Sequence, residues 1–166
     1  MRRFLPILLA LFLLTACAAE RPEDTAALVS RMAGASGERA AGTLYFWDRR
    51  DPNPDAHEAS AMPESLAAAA FGEGSTAGEF AMLEAYAVFL CGFAHPVEYG
   101  CFVAAREQDT GAIAAMCLRR MDAIARLCGE EAAACPPLVI GRCVFYAVGP
   151  DAAAALEVAR AAMQRG

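Results

Sequence analysis

The clearest pattern of apolar and polar positions lies between residues 110 and 128. Ile113, Met116, Cys117, Met121, Ile124 and Leu127 form one stripe, with Arg119, Asp122 and Arg126 opposite. That 3.6-residue repeat predicts an amphipathic helix, capped by Asp109-Thr110-Gly111 and ended near Cys128 and Gly129. Residues 152–164 repeat the pattern. Asp151 caps, Leu156, Ala159 and Met163 face inward, and Glu157, Arg160 and Gln164 face water. Residues 76–91 are apolar almost all round: Phe80, Leu83, Ala87 and Leu90 share one face, while Met82, Tyr86 and Phe89 fill most of the rest. Thr76-Ala77-Gly78-Glu79 fits a capping box, so this stretch predicts a helix at the centre of the fold. Pro96 opens a further predicted helix over residues 97–108.

The other segments are less decisive. Residues 25–33 predict a short helix with Asp24 or Thr25 as N-cap and Gly34 at its end. Thr43-Leu44-Tyr45-Phe46-Trp47, the most aromatic run, reads locally as a strand and equally as one turn of a helix. It suits a core plug, or alternatively an exposed patch for a partner. Residues 48–55 form a charged loop with two prolines, and residues 64–71 a short helix after Pro63. Val139, Ile140, Val144, Phe145 and Val148 favour a strand by propensity. Pro136-Pro137 and the helical neighbourhood assign residues 138–148 to a helix instead. The expectation is an all-α fold of helical hairpins. Residues 25–75 make an N-terminal subregion and residues 76–166 the main helical domain.

Composition narrows the setting. The chain has 166 residues, a formal net charge of −6 and a pI near 4.9, and every basic residue is Arg. An acidic chain without a basic cluster is a poor partner for nucleic acid. The abundant alanine adds weight to the helical reading.

The N-terminus carries Arg2 and Arg3, then an apolar run from Phe4 to Leu14. That run is far shorter than the roughly twenty residues a membrane helix needs, and reads as a secretion signal over residues 1–16. It closes with Leu14-Thr15-Ala16-Cys17, which resembles the lipobox of bacterial lipoproteins. The resemblance implies cleavage before Cys17 and acylation of its sulfur and new amine. Several acyl chains hold a protein on a membrane where one does not. Residues 17–24 would then be a lipidated tether. Ala18 follows the cysteine where an Asp would imply retention in the inner membrane, so the resemblance points to the outer membrane, facing the periplasm.

Leu90-Cys91-Gly92 recurs as Leu127-Cys128-Gly129, at the spacing of helix-pair repeats. Ala125-Arg126-Leu127-Cys128, Cys135, Gly141, Tyr146, Gly149, Asp151 and the alanine-rich last helix resemble one unit of the Sel1-like repeats, relatives of the tetratricopeptide repeats. That resemblance spans residues 80–166 and implies stacked helix pairs stapled by disulfides. Cys91 and Cys101 lie further apart than Cys128 and Cys135, and Cys117 has no counterpart in the family.

Apart from Cys17, the cysteines are Cys91, Cys101, Cys117, Cys128, Cys135 and Cys143. An even set in an exported domain predicts three disulfides, and six cysteines allow 15 connectivities. On the helical reading, a turn near residues 93–96 brings Cys91 to Cys101. A bend around residues 129–134 brings Cys128 to Cys135, leaving Cys117 with Cys143. The main rival pairs Cys101 with Cys117 about the turn at Asp109. Each bridge would contribute roughly 2–4 kcal/mol.

Other chemistry is sparse. Cys91 and His95 have a ligand-like spacing, but no Cys-x-x-Cys completes a metal or haem site. A cysteine nucleophile would need His57 or His95 as its base. No Gly-x-Ser-x-Gly, His-Glu-x-x-His or P-loop is present, and Glu130-Glu131 reads as solvated surface. No catalytic residue, metal or cofactor is expected. The expected role is a lipid-anchored envelope scaffold that binds another envelope protein, not an enzyme. The alternative is an inhibitor or immunity lipoprotein against a toxin or cell-wall hydrolase.

Overall fold

A computed structural model describes residues 22, 24–35, 41–53, 59–72, 78–91, 96–129 and 134–165. The leader, Cys17, His57 and His95 lie outside them. So do Thr76 and Ala77 of the expected capping box, and Glu130-Glu131.

The fold is mixed α/β, not all-α. Its elements in chain order are α1 (Thr25–Ala35), β1 (Gly42–Asp48), α2 (Glu64–Phe71), β2 (Leu83–Cys91), β3 (Glu98–Ala104), α3 (Thr110–Cys128), β4 (Leu138–Ile140), β5 (Cys143–Val148) and α4 (Ala152–Met163). The five strands form one antiparallel sheet in the order β1-β2-β3-β5-β4. Helices α1 and α4 pack on one face and on each other; α2 and α3 cover the other face.

Three expected helices, at residues 76–91, 97–108 and 138–148, give way to β2, to β3 and to the β4–β5 pair. For the first two the cause is burial on both faces; residues 138–148 carry a strand signal in their β-branched residues, and β4 is a half-exposed edge strand. A strand lying between two helical layers needs apolar side chains at every position, so it loses the alternation that marks a half-exposed strand. Strand β3 is buried along its whole length. Its Phe102 and Ala104 face α2 and α3, whereas Tyr99, Cys101 and Val103 face α1 and α4. β2 divides likewise, with Tyr86 and Val88 on one side and Ala85 and Ala87 on the other. A continuous apolar run therefore reads equally well as a buried helix.

The helical hairpins and Sel1-like repeat units fall with those three helices. Leu90 and Cys91 end a strand, and Leu127 and Cys128 end a helix. Residues 138–148 instead form a tight hairpin. Gly141 (φ 53°) is the left-handed first residue of its two-residue turn.

The expected staples are not formed either: no two of the six described cysteines are at bonding distance. The sheet itself keeps several of them apart. Cys117 is buried under α3 with the α2 and α3 layer, whereas Cys101 and Cys143 are buried in the opposite layer. This rules out Cys117–Cys143, and the rival Cys101–Cys117 pair with it. Cys128 and Cys135 also pack against opposite layers. Cys101 lies opposite Ala87 in the strand register, four residues along β2 from Cys91. At about 3.4 Å of rise per residue, that offset is well beyond disulfide reach.

The assigned helices α1, α2, α3 and α4 have the expected boundaries to within two residues. In α1 the Asp24 carboxylate accepts the Ala27 N–H at 2.9 Å, the N-cap expected there. In α2, Pro63 supplies the carbonyl for the first turn, and Gly72 (φ 99°) ends it. This short helix serves to place Phe71. Its ring meets Phe102 at 5.6 Å and Tyr146 at 6.2 Å, both edge-on, the geometry that sets a positive ring edge against a negative ring face.

Phe71 is 3% exposed and joins α2 to the sheet. Phe71→Ala is expected to cost about 3–5 kcal/mol in urea unfolding. A loss below about 1 kcal/mol would show that α2 is not docked by this ring.

Candidate functional site

The densest buried polar chemistry lies between β3, β5 and α3, and it begins with a glycine. Gly100 pairs directly with Tyr146 across the β3–β5 ladder. A Cβ at residue 100 would stand 2.1 Å from Tyr146 Cε1, so the ring lies across the space that a side chain would fill. Phe102 stacks on the same ring at 6.0 Å with an interplanar angle of 17°. Held flat in this way, Tyr146 directs its hydroxyl towards Glu98, two residues before the glycine on the same face. It donates to Glu98 Oε2 at 3.3 Å.

Glu98 is 5% exposed, and a carboxylate in such a place is costly unless it is paired. The pair comes from α3. Arg120 donates from Nε to Glu98 Oε2 at 2.9 Å and from Nη2 to Oε1, a two-pronged match of planar groups. Burial alone would lower the Arg120 pKa. The Glu98 hydrogen bond and charge outweigh it, and the guanidinium stays firmly charged. Burial, and then the Glu98 charge, push the Tyr146 phenol well above its usual range. Cys117, buried beside this group, is driven far up by desolvation and remains a thiol. Both carboxylate oxygens are taken up by fixed donors. The arrangement therefore clamps α3 to the sheet and leaves no group poised for proton transfer.

A second polar knot closes the other end of the sheet. Glu84 on β2 accepts from Arg142 Nη1 at 2.5 Å and lies 3.2 Å from Arg50 Nε. Arg142, in the β4–β5 turn, also donates to the carbonyls of Ala104 and Ala105 at 2.8 and 3.3 Å. This knot holds the ends of β2, β3 and the hairpin in register.

The aromatic run at residues 43–47 forms the edge strand β1. Tyr45 and Trp47 pack on the α2 and α3 side, and Leu44 and Phe46 on the other. All four are half-buried and Thr43 is exposed, so the run is at once core and surface. Trp47 stacks on Tyr86 at 6.2 Å, and the Arg49 guanidinium lies 5.7 Å from the Trp47 ring centre. The Phe46 N–H turns away from β2 to meet the Ser60 carbonyl at 2.9 Å. Backbone groups alternate in direction along an antiparallel strand, so Leu44 also directs its N–H and C=O off the sheet edge.

The remaining expected site residues are dispersed. The Glu79 side chain pairs with Arg119 on α3 and makes no capping hydrogen bond, although Glu79 precedes a single 3-10 turn at Phe80–Met82. Among the described residues, no group of three metal-ligating side chains occurs, and no helix is long and apolar enough to cross a membrane. Sequence reasoning missed Glu98 and Arg120. One signal was present: Met116, Arg120 and Ile124 follow at i, i+4 and i+8, which places a charge inside the apolar stripe of α3. A buried arginine of that kind needs an acid from elsewhere in the chain, and Glu98 lies in the nearby apolar run of residues 97–104.

No family model, curated protein or solved structure matches the chain.

Arg120→Met is expected to cost about 3–5 kcal/mol, because it strands a buried carboxylate. Adding Glu98→Gln should recover a large part of that loss, and simple additivity of the two changes in urea unfolding would show that the pair is not coupled. Stability should also fall in alkali. The Cys117 thiol titrates higher in the folded chain than its ordinary value near 9.0, so the unfolded chain releases that proton first. The contribution is fully present below pH 9 and is lost as the pH rises above it. Cys117→Ala should flatten the decline between about pH 9 and 10 in a pH series of unfolding midpoints.

Proposed function

We propose that this chain is a cell-envelope lipoprotein, anchored through Cys17 to the periplasmic side of the outer membrane, whose folded domain acts by binding a partner protein. One observation carries the anchor: Leu14-Thr15-Ala16-Cys17 directly follows a short apolar leader with two arginines before it. A cysteine at that position has no purpose in an ordinary signal cleavage site. The acyl chains hold the domain at the membrane, and its acidity gives it no attraction to anionic lipid.

The binding role rests on the edge of β1. Half-buried Tyr45 and Trp47 sit beside outward-directed backbone at Leu44, a combination suited to a short extended segment that adds alongside residues 42–44, since the Phe46 N–H is already bonded to Ser60. Catalysis finds less support, because the buried Glu98, Arg120 and Tyr146 are already committed to one another.

Metabolic labelling with a fatty-acid analogue should mark the wild type and not Cys17→Ser, and equal labelling of both would refute the anchor. A photo-crosslinking residue at Thr43 should trap a discrete envelope protein, while the same residue at Ala153 on α4 should not. Equal trapping at both positions, or at neither, would count against β1 as the docking edge.

A further inference from the structure

We draw no further inference here: the strongest candidate, the outer edge of β1 where Leu44 directs its backbone groups off the sheet, already belongs to the proposed docking site, and nothing in the structure shows what covers it.

Discussion

The fold depends on covering both faces of a small antiparallel sheet. A sheet face left bare would expose the rings of Phe102 and Tyr146 or the side chains of Tyr99 and Phe145, all fully buried here. Each helix answers part of that need. α1 and α4 pack on each other over one face, and α3 spans β3 and β5 on the other with α2 at its side. Burial of a large apolar side chain is worth about 1.5–3 kcal/mol, and the central strands carry such side chains on both faces. The helices and the sheet therefore stand or fall together.

The same constraint explains what could be read in the chain and what could not. Helices with one wet face announced themselves: Arg119, Asp122 and Arg126 mark the outer side of α3, and Glu157 and Arg160 that of α4. Strand β1, at an edge, was half legible: its aromatic run favours a strand, but five residues fit one helical turn as well. β2 and β3 were not, since β3 is buried on both faces, β2 is buried over most of its length, and their side chains carry no clean alternation. The hairpin of β4 and β5 was visible in its β-branched residues, and Gly141 marks its turn. The surrounding misread helices overrode both signals. Cysteine count was a weaker guide than expected, because parity says nothing about which side of a sheet each thiol occupies.

The clamp between Glu98 and Arg120 illustrates how a polar group can sit in such an interior. Three sequence choices must coincide: a glycine at 100 to admit the ring, a tyrosine at 146 to reach the acid, and an arginine at 120 in an otherwise apolar stripe. Each alone is a local oddity. Together they fix the rotation of α3 about its axis, which an apolar face by itself would leave less sharply defined. Buried ion pairs rarely add much stability beyond what apolar packing would give. What this one supplies is a two-pronged contact between α3 and β3 that ties Arg120 to one position on the sheet.

The strand order also has a temporal side. β1, β2 and β3 follow one another as neighbours, but the next strand to join β3 is β5, separated from it by all of α3 and by β4. A ribosome delivers the chain from its N-terminus, so a three-stranded meander exists as a complete stretch of polypeptide some forty residues before its fourth strand. Through that interval β3 is an edge, although its residues are built for the middle of a sheet. Until β5 (Cys143–Val148) follows, β3 is an unpaired edge of the kind that pairs with other chains.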